Sequence, residues 1–333
     1  MRNCSLVLPN LAMAIPVATA MMHSPQYKAA IQGIRLPGTV VRPIHRIRAD
    51  GGIVMAVVRG MFRRKADRNH AEARAMSRTF VHEALVLLVR ASGESNRDAT
   101  FLTADAGIVR ATVFGGPKSS LRAYIAPFHR GTLWLYHDPV RDSRKVTDFD
   151  VRSWRPGLRE SLDRSLSAST LAETILVSHG GGGAWERALE LANEQLDALE
   201  TADDDACRHG LARFLWKWSE FLGARPEMDS CGSCGNPLKD DETVWYSRIE
   251  SCMFCRDCAG KDSSVDDGSS RGILVPLNPG ARKWLSAVDR MDARSALRIG
   301  LAPESEAQAR RLCSIVLEEA TGTRLQGWNL SAS

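Results

Sequence analysis

Residues 79–117 read TFVHEALVLLVR, ASGESNRD, ATFLTA, DAG, IVRATVF, GGP, and the order of apolar runs and breakers in this stretch decides the fold. Three apolar, β-branched segments at 79–90, 99–104 and 108–114 each end at a turn signal: Ala91-Ser92-Gly93, Asp105-Ala106-Gly107 and Gly115-Gly116-Pro117. Runs this short, closed by glycine, proline and aspartate, read as strands. Two more follow at 132–137, closed by Asp138-Pro139, and at 145–151. Five strands within 76–154 suit a small all-β domain, and an oligonucleotide-binding (OB) barrel is the expected form.

Downstream the apolar period lengthens from about two residues to about 3.6. Leu158, Leu162 and Leu166 recur every fourth residue, and Leu171, Ile175 and Leu176 carry the helix to a break at His179-Gly180-Gly181-Gly182-Gly183. Trp185, Leu189, Ala192, Leu196 and Leu199 form a second amphipathic stripe. Cys207, Leu211, Phe214, Leu215, Trp218, Phe221 and Leu222 form a third, with Thr201 and Asp204 as its start signal. Further helices are expected at 279–288, 292–301 and 304–320. The chain therefore reads as an α+β multidomain protein: a basic, disordered leader at 1–75, an OB-fold barrel at 76–154, and a helical domain at 155–333 with a zinc-binding insertion at 228–260.

Charge follows the same divisions. Lys and Arg number 12 against 3 Asp and Glu in 1–75, 11 against 8 in 76–154, and 21 against 28 in 155–333. The leader shows no sustained period. Its apolar stretch 6–22 holds Ala18-Thr19-Ala20, the letters of a secretory cleavage site, but Pro9 and Pro16 interrupt it and the cysteine pattern speaks against export. Met76, directly before the first strand, is the candidate true start. No apolar run reaches the roughly 18 residues of a membrane span.

Five of the eight cysteines crowd into 231–258. Cys231-Gly-Ser-Cys234 and Cys255-Arg-Asp-Cys258 stand 20 residues apart, the spacing of a Cys4 zinc knuckle. Two residues between ligands let both thiolates of one turn meet a single ion, and Gly235 permits the tight turn that follows. Cys252-x-x-Cys255 offers a competing register. The pair Cys255 and Cys258 is preferred because it leaves Cys252 on a hairpin with Val244-Trp245-Tyr246. Four thiolates fill a tetrahedral site, so the expected Zn2+ is structural, held by Cys231, Cys234, Cys255 and Cys258 in a reducing, cytoplasmic setting.

On the barrel, Arg90, Arg97, Arg110, Lys118, Arg122, Arg130, Arg144 and Lys145 lie at strand ends and loops, where they would neutralise phosphates; Tyr124, Phe128 or Tyr136 would stack on a base. Catalytic readings fail. His179-Gly-Gly-Gly and Gly268-Ser-Ser270-Arg-Gly272 carry hydrolase letters, but every histidine lies at or before His209, so no base follows Ser270. His70-Ala-Glu72 falls in the leader and neither cysteine pair follows a proline, which removes a zinc deaminase. There is no G-x-x-x-x-G-K-[ST] loop for a nucleotide.

The order of parts resembles the bacterial recombination mediator RecO family. It is carried by Gly93-Glu94-Ser95 after the first strand, Leu102-Thr103 and Gly107, Pro117-Lys118-Ser119-Ser120 after the third, Gly157-Leu158-Arg159 opening the helices, and the Cys4 knuckle. The resemblance implies a non-enzymatic protein that binds single- and double-stranded DNA and anneals complementary strands. Its implied partners are RecR, in many relatives RecF, and the C-terminal tail of single-stranded-DNA-binding protein; it helps load RecA and works at the nucleoid. It also places Lys118 in a basic loop, where relatives usually carry further arginines in place of Gly115 and Gly116. The acidic helical domain would offer protein partners a groove near Trp185, Trp216 and Trp218, although tryptophans so placed are more often core. The rival classes are a zinc-ribbon nucleic-acid-binding regulator and a protein-only adaptor.

Overall fold

A computed structural model of the protein describes residues 78–115, 119–262 and 274–330. The leader at 1–75, Met76 and Lys118 lie outside the described residues.

Five strands, β1 (Thr79–Ser92), β2 (Asn96–Thr103), β3 (Gly107–Val113), β4 (Arg130–Asp138) and β5 (Ser143–Ser153), close a barrel in the order β1-β2-β3-β5-β4. A short helix, α1 (Ser120–Tyr124), crosses between β3 and β4. Side chains alternate across each strand, so one set points to the barrel axis. That set includes Ala84, Val86, Phe101, Val109, Ala111, Leu133, Leu135 and Phe149, with Ile125 plugging the end after α1. A bulge between Val86 and Leu88 re-aims β1. Leu85 and Leu87, with Leu102 of β2, are buried in the other direction, among the helices. This double burial explains why 84–87 reads as a continuous apolar run rather than an alternating one.

The helices follow a 3-10 turn at Pro156–Arg159: α2 (Leu162–Val177), α3 (Trp185–Leu199) and α4 (Asp204–Phe221). Both α2 and α3 pack on β1, and α3 also on β2. Gly107 makes that approach feasible, since a Cβ there would lie 2.7 Å from the indole of Trp185. The join is pinned by Arg155, 2% exposed. Its guanidinium donates to the Phe128 carbonyl (2.7 Å), to Asn193 Oδ1 (2.9 Å) and to Asp197 Oδ1 (2.6 Å), bridging barrel and α3.

The remaining elements are β6 (Val244–Ser247), β7 (Cys252–Phe254), α5 (Arg256–Asp262), β8 (Leu274–Leu277), α6 (Pro279–Asp289), α7 (Ala293–Ala296), α8 (Pro303–Thr321) and α9 (Gln326–Leu330). The hairpin expected around 244–246 forms as β6 and β7, and β8 adds to the other side of β6. Sequence reading missed β8 because Pro276 sits inside it; at a sheet edge proline costs no ladder bond.

Two local expectations are corrected and one open alternative is decided. The start of α4 is capped by Asp203, which accepts the Ala206 amide at 2.8 Å, and not by Thr201. The helix expected at 292–301 is only the four-residue α7, whose Asp292 cap starts a turn that Leu297 closes. Trp216 and Trp218 follow the core alternative: they are 3% and 0% exposed, and Trp218 Nε1 donates to Ser178 Oγ at 2.9 Å.

Candidate metal centre and nucleic-acid interface

The turn 231–235 and the start of α5 bring four sulfurs together. Those of Cys231, Cys234, Cys255 and Cys258 all lie within 4.8 Å of one another, and Cys234 Sγ is 3.9 Å from Cys255 Sγ. Ligands about 2.3 Å from a tetrahedral ion stand about 3.8 Å apart, so the donor set fits a metal ion. Cys252 is not in the group. It sits on β7 with its sulfur against Gly232, where an added Cβ would meet it at 2.3 Å.

The backbone prepares the thiolates. Burial opposes ionisation of Cys231, but amides of Cys234, Cys255 and Ser233 aim at its sulfur and bring its pKa down to about 6. Cys258 differs: a bond from Ser233 favours its thiolate, yet burial and the sulfurs of Cys255, Cys234 and Cys231 hold it up at about 12. Metal binding would favour the deprotonated form at all four sulfurs.

Gly235 takes φ +76°, and its amide donates to the Cys231 carbonyl at 2.8 Å, closing the first turn. Buried Arg282 of α6 fastens the turn from below. It donates to the carbonyls of Lys239 (2.6 Å), Met228 (3.0 Å) and Leu238 (3.0 Å). Glu319 of α8 holds the hairpin through the Tyr246 hydroxyl (2.8 Å) and Arg248 (2.7 Å).

Of the eight basic candidates, three converge. Arg90 on β1, Arg110 on β3 and Arg144 on β5 line one groove of about 560 Å³, together with Asp98, Thr100 and Thr112. Asp98 is engaged by the Thr112 hydroxyl at 3.0 Å, and all three arginines are exposed. Among the other described candidates, Arg97, Arg122, Arg130 and Lys145 do not line it. Arg130 is paired with Glu83, its Nε donating at 2.8 Å. Arg97 is half-buried and donates to the carbonyl of Arg122 at 3.4 Å. Lys145 lies 4.8 Å over the ring of Tyr136, whose hydroxyl also accepts from Arg78 at 3.1 Å.

The aromatics divide too. Phe128, 9% exposed, belongs to the core shared with the helices and cannot stack on a ligand. Tyr124 is 38% exposed and meets Trp154, 46% exposed, which sequence reading passed over. No periodicity marks a tryptophan one residue past a strand as surface rather than core.

Taken together, an OB-type barrel with a basic groove, joined to helices that carry a cluster of four cysteine sulfurs, defines a two-part class of protein. Residues 76–153 match the family description "Recombination protein O N terminal" and residues 159–328 match "Recombination protein O C terminal". The chain belongs to the recombination protein O (RecO) family. It is similar to the "DNA repair protein RecO" of Desulfitobacterium hafniense, 28% identical over 211 residues, 61% of this chain and 75% of that one. The protein of the same name from Heliobacterium modesticaldum is 28% identical over 256 residues, covering 75% of this chain and 86% of the other. That from Nostoc punctiforme is 30% identical over 173 residues, covering 50% and 57%. Among the described residues no helix is long and apolar enough to cross a membrane.

Proposed function

We propose that this protein is a recombination mediator that binds single- and double-stranded DNA, anneals complementary strands and helps load recombinase onto coated single strands. The observation that carries this reading is the convergence of Arg90, Arg110 and Arg144, from three different strands, on one barrel groove. Each guanidinium on a phosphate releases condensed counterions, and two strands neutralised side by side repel each other less. Pairing then needs positioning and charge neutralisation, with no nucleotide hydrolysis and no catalytic group.

The division of labour follows: the barrel of 76–154 holds DNA, while the acidic domain of 155–333 turns toward protein. RecR, RecF, the tail of single-stranded-DNA-binding protein and, indirectly, RecA are the proposed partners, met in the cytoplasm at the nucleoid. The proposed ion is Zn2+, held by Cys231, Cys234, Cys255 and Cys258 within the insertion at 228–260. Four thiolates leave it no position for water, so it supplies cross-linking and not chemistry.

The test is annealing of complementary oligonucleotides without ATP, bare and coated with single-stranded-DNA-binding protein. Changing Arg90, Arg110 and Arg144 together to alanine is expected to weaken DNA binding on the order of a hundredfold near 0.1 M salt and to slow annealing in step. Exposed arginines contribute little to folding, so the melting temperature should hold. Annealing at the wild-type rate by the folded triple variant would refute the reading.

A further inference from the structure

We propose that Trp154 and Tyr124 form a platform on which unpaired bases of single-stranded DNA stack, apart from the arginine groove. The inference rests on the DNA-binding reading and extends it to strand type.

Tryptophan is usually well buried, so one that is 46% exposed beside a 38% exposed tyrosine is a notable surface. The two rings meet edge to face, 5.7 Å between centroids at 79°. Trp154 also meets the ring of His129 edgewise, at 5.0 Å and 67°. These contacts hold the indole in place, and its 46% exposure leaves surface open to a stacking partner.

The support beneath is rigid. His129 is 4% exposed, and its Nδ1 lies 2.8 Å from the Tyr124 carbonyl, to which it donates. Its Nε2 then accepts from Arg159, 3.2 Å away, and the same Arg159 nitrogen donates to the Pro127 carbonyl at 3.1 Å. Burial first, with the nearby Arg159 and Arg155 charges, depresses the pKa of His129 and keeps it in this neutral tautomer. The aromatic geometry is thus set before any ligand arrives, which lowers the ordering cost of binding.

Charge favours a nucleic acid without dominating. Arg159 stands beside the platform, and exposed Arg152 precedes Trp154 by two positions. Exposed Asp150 and Glu160 offset them, so the site would bind through ring faces, with weaker salt dependence than the groove. Duplex bases present no free ring faces, whereas unpaired bases do. Position fits as well: β5 starts at Ser143, beside Arg144 in the groove, and ends at Ser153, beside Trp154. Its contour is at most about 33 Å, a length that about ten nucleotides cover at about 3.4 Å each.

The experiment compares fluorescently labelled (dT)20 with a 20-base-pair duplex. Trp154→Ala is expected to weaken binding of (dT)20 by about tenfold or more while leaving the duplex within twofold; Trp154→Phe should restore most of the loss. Quenching of intrinsic tryptophan fluorescence by (dT)20 should shrink in both variants, so the conservative change decides the matter even if the alanine variant folds poorly. Wild-type affinity for (dT)20 with unchanged quenching, or equal loss on both DNAs, would overturn the platform and leave this face to a protein partner. A wild-type chain that binds neither DNA would overturn the DNA-binding reading itself.

Discussion

Changing Cys255 to serine is expected to strip the metal from the knuckle and loosen the lobe built around it, while the barrel stays folded. Binding of a structural zinc ion is worth about 10–16 kcal/mol in small knuckles, and losing one of four ligands forfeits a large share of it. Among the described residues the lobe has little else of its own: three short strands, a seven-residue α5 and a few buried side chains, among them Tyr246, Met253 and Phe254. Those residues belong to the core shared with α6 and α8, so the damage should spread into the helical domain. It should stop short of the barrel interior, which forms a separate cluster. Metal analysis should find about one ion per wild-type chain and a clear drop in the variant, with a lower melting temperature. Cys252→Ser is the control, since that sulfur lies outside the four. Full metal content in the Cys255 variant, or loss of metal from the Cys252 variant, would contradict the assignment.

Arg155→Met is expected to lower stability by about 3–5 kcal/mol, because it removes one partner from a buried, charge-assisted network. The guanidinium is fully enclosed, and burial pulls its pKa down despite the bond to Asp197. It remains charged, as arginine does throughout the accessible pH range. Removing it leaves the Phe128 carbonyl and Asn193 Oδ1 without their donor and Asp197 without its cation. Lysine should rescue little: one ammonium cannot reproduce a planar fork serving three separated acceptors. Since the bonds join barrel to α3, unfolding followed by urea should show the two parts separating into distinct transitions. A single transition at the wild-type midpoint would show that the join depends on apolar packing alone.

How far these features could be read from the chain depends on their range. Strands punctuated by Gly93, Gly107 and Pro139 are set by neighbours a few residues away, and all five appear where periodicity put them, give or take their ends. The amphipathic stripe at Trp185–Leu199 marks its helix to the residue. The thiolate group was legible because its spacing is local on each side and the chemistry is restrictive. What stayed hidden is tertiary. Nothing near Arg130 in sequence announces Glu83, its partner across β1 and β4. Nor could local pattern tell that Trp216 turns into the core while Trp154 stays at the surface. Arg155 looks like any basic linker residue until Asp197 and Asn193 arrive from α3. Groups that act through partners dozens of residues away need the fold before they can be assigned.

The central claim, that three barrel arginines hold phosphates, is tested most directly by the salt dependence of binding to single-stranded DNA. Each phosphate contact contributes roughly 0.7 to the slope of log affinity against log salt. Plots for the wild type and for the Arg90, Arg110 and Arg144 triple alanine variant should therefore both be linear, with the variant shallower by about 2. Parallel lines would show that these side chains touch no phosphate and that DNA is held elsewhere on the molecule.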